Sequence, residues 1–123
     1  MTQPEQMSFD QPTETRTFPF GKVDLIDIGG SQIGRLTLEP GWRWSEHVKP
    51  IAGTEWCEAP HFQFHAAGTL HVRMTDGTDI IANAGDVTAL PHGHDAWVVG
   101  DEAVVLIDWW GASTYAQEPQ PPH

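Results

Sequence analysis

The chain has one cysteine, Cys57, among its 123 residues. That excludes an internal disulfide. It is short of basic residues, with six Lys and Arg against 17 Asp and Glu and a net charge of -11. A surface this acidic repels phosphate backbones and anionic membranes, so nucleic acid is not an expected partner. No segment approaches the roughly 18 apolar residues that a membrane-spanning helix requires. The opening residues MTQPEQMSFD lack the basic start and apolar centre of a signal peptide. The expectation is a cytoplasmic protein without membrane contact. Also missing are a C-x-x-C pair, an H-E-x-x-H helix motif, a G-x-S-x-G elbow and a phosphate-binding glycine loop. Gly29-Gly30-Ser31 is too short to be a nucleotide signature and reads as a turn.

Helical periodicity is absent too: no stretch of ten residues shows it. What is present is alternation. Val23 to Ile28 (VDLIDI) alternates apolar and acidic residues, the period of a half-buried strand. Ile33 to Leu38, His61 to Ala66, Leu70 to Met74, Asp79 to Ala82, Asp86 to Leu90, Ala96 to Val99 and Ala103 to Trp109 also read as strands. Trp42 to His47 (WRWSEH) reads as an aromatic-rich strand. Val48 to Pro60 has no clear period and is expected to be a loop. Asp76-Gly77 is a hairpin signal, and PHGHD (residues 91–95) reads as a turn. Nine or ten short strands separated by turn residues predict an all-β sandwich or barrel. Residues 1–16 are polar and expected to be a flexible arm, residues 17–112 the barrel, and residues 113–123 a proline-rich tail.

The chemistry-bearing residues concentrate in two stretches. Gly41 to His65 holds three of the seven histidines, three of the six tryptophans and the cysteine. Gly85 to Trp97 adds His92 and His94. Successive strand side chains alternate, so His61, Gln63 and His65 share one face. If that face is the interior, three polar groups are buried in a row, each costing on the order of 1 to 3 kcal/mol without a partner. They need a metal, water, a ligand or one another, which predicts a polar cavity with His61 at its centre and His61, Gln63 and His65 as candidate catalytic groups.

His47, His61, His65, His92 and His94 are the candidate metal ligands, since imidazole suits zinc, copper, iron and nickel. The H-x-H spacing of His92 and His94 places both on one face of an extended segment. Trp42, Trp44, Trp56 and Phe64 are candidate pocket walls. Cys57, four residues before His61, is a candidate thiolate ligand or nucleophile by sequence proximity alone. His71 reads as structural, and Trp97, Trp109 and Trp110 as core or dimer contacts. Glu46, Glu55, Glu58 and Asp95 are the nearby acids that could orient an imidazole.

The glycine-bounded stretches resemble the two motifs of the cupins, small double-stranded β-helix or jelly-roll barrels. The first cupin motif reads G-x5-H-x-H-x3or4-E-x6-G. Gly41 and His47 match its start, Lys49 stands at the second histidine, and His61, six residues before Gly68, stands at the glutamate. The second motif reads G-x5-P-x-G-x2-H-x3-N. Gly85, Pro91 and Gly93 match, with Ala96 and Gly100 at its histidine and asparagine. The chain looks most like short single-domain cupins of unassigned function, over residues 44–54 and 93–102 in particular. The resemblance implies a divalent transition metal (Fe, Ni, Mn, Cu or Zn), a small-molecule substrate and a homodimer. Dioxygenase, isomerase or lyase chemistry is open. The alternative is a non-catalytic binding or sensing barrel with a degenerate metal site, and a metal-free enzyme with a histidine base is a third reading.

Overall fold

The alternating segments fold as strands, and their apolar residues meet inside two sheets. The computed structural model describes residues 3–58 and 60–109. Among these residues nine strands occur: β1 (Glu14–Phe18), β2 (Gly21–Ile28), β3 (Ser31–Leu38), β4 (His61–Ala67), β5 (Thr69–Met74), β6 (Asp79–Asn83), β7 (Val87–Leu90), β8 (His94–Val99) and β9 (Val104–Asp108). One sheet has the order β1-β2-β3-β9-β4-β7 and the other β6-β5-β8. Every strand pairing is antiparallel. The fold is an all-β jelly-roll barrel.

The core lies between the sheets. Leu36 and Leu38 of β3, Leu70 and Val72 of β5, and Val104 and Leu106 of β9 are all buried there. Each lies two positions from its partner, as a single inward face requires. The connection from β4 to β5 turns at Gly68, whose φ is +77°. A Cβ there would stand 2.6 Å from the Ala103 carbonyl oxygen, so only glycine fits.

Three segments depart from the sequence expectation. Residues 42–47 are not a strand: α1 (Trp44–His47) is a helical turn, followed by a second, α2 (Lys49–Ala52). Trp44 and Val48 are both buried, four residues apart, which is a helical spacing. The Asp95 carboxylate accepts from the free Ser45 N–H at 3.0 Å and secures the turn. Gly53, left-handed at φ 74°, ends α2 inside what sequence suggested was a structureless loop.

β1 begins at Glu14, within the stretch expected as a flexible arm. The residues before it also make contacts. The Glu5 carboxylate accepts from Gly29 N–H at 2.6 Å, and Arg35 lies over the Phe9 ring. Arg35 also pairs with Asp24 at 3.1 Å, and Thr15 donates to Asp24 at 2.8 Å. These contacts bury Asp24 on a strand face that alternation alone assigns to solvent.

The third departure is His94. It opens β8 and is buried, rather than sitting in a surface turn. The expected tail (113–123) and Trp110 lie outside the described residues. No helix among the described residues is long and apolar enough to cross a membrane.

Candidate metal centre

β4 enters the barrel with His61, Gln63 and His65 buried and Phe62 and Phe64 exposed. His61 and Gln63 line an internal cavity. Leu36, Leu38, Leu70, Leu90 and Leu106 give it apolar walls, and Trp42 and Trp44 form part of it. It is about 20 Å³ as the space open to a water molecule's centre, room for one or two waters or an ion.

Cys57 and His94 face the same cavity. Backbone pairing places them there. The Cys57 N–H donates to the His94 carbonyl at 2.8 Å, and the Gly93 N–H donates to the Cys57 carbonyl at 2.7 Å. Gly93 holds φ +89°, so the chain turns there and delivers His94 inward. The donor atoms of Cys57, His61 and His94 lie within 4.8 Å of one another, and all three residues are buried. Cys57 Sγ is 3.7 Å from His61 Nε2. Bond lengths of roughly 2.3 Å to sulfur and 2.0–2.1 Å to nitrogen allow two ligands of one ion to be that far apart.

Both rings are fixed by their other nitrogen. His61 Nδ1 stands 2.5 Å from the Asp108 carboxylate, and His94 Nδ1 stands 3.0 Å from the Pro91 carbonyl. A carboxylate and a carbonyl only accept, so each Nδ1 carries a proton and Nε2 is the nitrogen each ring presents to the cluster. Metal-ligating histidines are oriented in this way. Asp108 also accepts from the Phe62 N–H at 3.3 Å and from Gln63 Nε2 at 3.5 Å.

The electrostatics of the metal-free site favour a thiolate at Cys57 and a protonated ring at His61. Burial pushes the Cys57 thiol up, but hydrogen bonds with His61 and His94 and the charge on both rings outweigh it and bring it from 9.0 to about 6. Burial pushes His61 down, but the Asp108 and Cys57 hydrogen bonds and charges raise it from 6.5 to about 9. Thiolate is the form in which a cysteine binds a metal, and His61 would give up a ring proton to do so.

Two residues that line the cavity carry a buried polar atom with no hydrogen-bond partner among the described residues, Gln63 Oε1 and Trp42 Nε1. Leaving such a group unpaired costs on the order of 1–3 kcal/mol. One is an acceptor and one a donor, so the cavity is built to receive something polar.

The other sequence candidates lie elsewhere. The structure does not bring His47, His65 or His92 into the cluster. His47 Nδ1 accepts from the Arg43 N–H at 3.0 Å and its ring packs on Phe20. His65 is buried one step beyond Gln63 and its Nε2 pairs with Thr88 Oγ1 at 2.9 Å. Burial lowers its pKa, with Asp86 opposing. His92 is exposed, 3.5 Å from Glu58.

Of the four pocket candidates, Trp42 and Trp44 line the cavity. Trp56 is half-buried away from it, and Phe64 points outward, as the parity that sends His61 inward requires. His71 stacks on Trp97 and pairs with Asp79 at 2.8 Å. Asp108 escaped sequence reading, yet β9 carries its signal: Val104, Leu106 and Asp108 share one parity, so an acid closes an inward face.

Comparison with solved structures settles the architecture. A cupin from Shewanella frigidimarina aligns over 90% of this chain and 95% of its own, with a TM-score of 0.58 and 18% identity. The chain has the cupin fold. A cupin-like protein from Thermotoga maritima aligns at TM-score 0.54 and 20% identity, over 74% of this chain and 68% of its own. An oxalate decarboxylase from Lactobacillus farciminis aligns at TM-score 0.59 and 20% identity over 83% of this chain. The chain spans only 32% of that enzyme's length. No family model matches the sequence, and no curated protein matches it. The cupin barrel therefore holds a potential metal site of one cysteine and two histidines.

Proposed function

We propose that this cupin is a metal-dependent protein in which Cys57, His61 and His94 hold a single transition-metal ion inside the barrel. The observation that carries the reading is the convergence of one thiol and two imidazoles whose donor atoms lie buried within 4.8 Å of one another, each ring oriented through its Nδ1. The donor set fits a soft or borderline metal. Bound there, such an ion supplies Lewis-acid or redox chemistry. The residues of the chain supply the rest. Asp108 orients His61, the Pro91 carbonyl orients His94, and the leucine walls keep the site dry.

Cavity size bears on the substrate. Pockets for organic ligands are typically about 300–1,000 Å³, and this one is about 20 Å³. The site suits an ion with at most a ligand of a few atoms. An organic substrate, as in dioxygenase, isomerase or lyase chemistry, requires the cavity to open. This favours a metal-holding barrel without turnover of an organic molecule, which differs from the sequence alternative of a binding or sensing barrel with a degenerate metal site. A homodimer fits the outer surface, where Phe62, Phe64, Val87 and Trp109 are exposed on neighbouring strands.

The test is a metal titration of protein stripped by a chelator, beside His61→Ala with its fold checked by circular dichroism. One tightly held ion per chain, lost in the variant, is the expected result. Equal affinity in the variant removes the assignment.

A further inference from the structure

The cluster has a fourth polar member. Gln63 is buried on the strand that carries His61, two residues away, and both line the same cavity. Its Nε2 is spent on Asp108, at 3.5 Å. Its Oε1 is buried with no hydrogen-bond partner among the described residues. The amide is thus tethered at one end and leaves an acceptor oxygen unused, on a residue that lines the same cavity as Cys57, His61 and His94.

One thiolate, two imidazoles and a weak amide oxygen form a particular donor set. Three strong donors of the His2Cys kind with a long, weak fourth donor from methionine, glutamine or a carbonyl are the arrangement of blue-copper centres. Zinc sites that are structural instead take four strong ligands, mostly thiolates. Catalytic zinc sites keep an open position for water. Here the apolar walls and the small cavity leave little room for such a water beside an ion. The Irving–Williams order also places copper(II) above zinc for a site of N and S donors.

We propose that the barrel centre is a copper site, with Cys57, His61 and His94 as the strong ligands and Gln63 Oε1 as a weak fourth. This rests on the metal reading above and specifies its ion class and an additional ligand. The expected function of such a centre is electron transfer rather than substrate activation.

The test is to add copper(II) to chelator-stripped full-length protein and record visible absorption and electron paramagnetic resonance. An intense visible sulfur-to-copper band with narrow copper hyperfine splitting is expected. Equimolar zinc should leave the band in place, because copper(II) is held more tightly. Cys57→Ser should abolish the band. Gln63→Leu, which keeps all three strong ligands, should retain it while shifting its position and raising the reduction potential, because an oxygen donor that favours copper(II) is lost. Circular dichroism of Gln63→Leu controls for folding.

Copper binding with only weak absorption overturns the copper-thiolate assignment. A spectrum and potential unchanged in Gln63→Leu overturn the fourth ligand. Tight binding of zinc without any copper band leaves the metal reading standing and defeats this one. Failure of copper, zinc, iron, nickel and manganese all to bind defeats both.

Discussion

Cys57 and His94 are joined through the backbone, and their side chains face one cavity. The Cys57 N–H donates to the His94 carbonyl at 2.8 Å, and the donor atoms of the two side chains lie within 4.8 Å of each other. The irregular segment after α2 is therefore tied to the start of β8 at the point where two of the three proposed ligands sit.

That tie depends on Gly93. Its φ of +89° is left-handed, and a Cβ would lie 3.3 Å from Thr75 Cγ2. A non-glycine residue in the left-handed region costs about 1–2 kcal/mol. Gly93→Ala is expected to lower stability by about that amount and to weaken metal retention with it. Urea unfolding of the loaded and stripped variant measures both effects.

Asp108 is the positioning residue for His61. Asp108→Asn keeps the shape but offers an amide that can donate as well as accept, so the ring tautomer is no longer fixed. Replacing an outer-shell partner of this kind typically costs about 10–100-fold in metal affinity. Competition against a chelator of known affinity reads the loss, and an unchanged affinity shows that Asp108 does not orient the ligand.

The protonation of the stripped protein is also predictable. The His61 pKa is raised, so taken alone His61 stabilises the fold fully below 6.5, and that contribution is lost as pH rises to about 9. The Cys57 pKa is lowered, so taken alone Cys57 contributes fully above 9.0, and that contribution is lost as pH falls to about 6. Between about 6.5 and 9 the two slopes oppose, and folded and unfolded chains bind equal numbers of protons at the pair. The pair then leaves stability nearly flat over that range. Unfolding midpoints of stripped wild type and His61→Asn, each referred to Cys57→Ser/His61→Asn, test this. A slope near 1.4 kcal/mol per pH unit from the wild-type pair contradicts it.

Much of the barrel was legible in sequence, because two-residue alternation reports which face a strand buries. The same parity placed His61, Gln63 and His65 inward, and all three are buried. The ligand set was less legible for a physical reason. Cys57 and His94 meet through a backbone bridge between distant segments, and no local pattern encodes such a bridge. His47, at the cupin histidine position, was drawn away because residues 44–47 coil into a helical turn that turns its ring toward Phe20. Aromatic content suggested a strand there, and the spacing of Trp44 and Val48 decided otherwise.

The outer face of the larger sheet gives a further prediction. Phe62 and Phe64 are each 38% exposed, Trp109 49% and Val87 61%. Phe62 and Trp109 meet edge to face at 6.0 Å, and Phe64 pairs with Val87 across the strands. A second copy of the chain is the expected cover. Light scattering at micromolar concentration should give a dimer mass, and Phe64→Glu should shift it to a monomer with the barrel intact. A wild-type monomer mass contradicts the dimer.

The most direct test of the central claim sets the two groups of histidines against each other. Elemental mass spectrometry is run on purified protein and on Cys57→Ser, His94→Ala, His47→Ala and His92→Ala, each refilled with the same metals and desalted. The account predicts near-stoichiometric metal in the wild type and in His47→Ala and His92→Ala, and its loss from Cys57→Ser and His94→Ala. Metal retained without Cys57 and His94, or lost with His47, would contradict it.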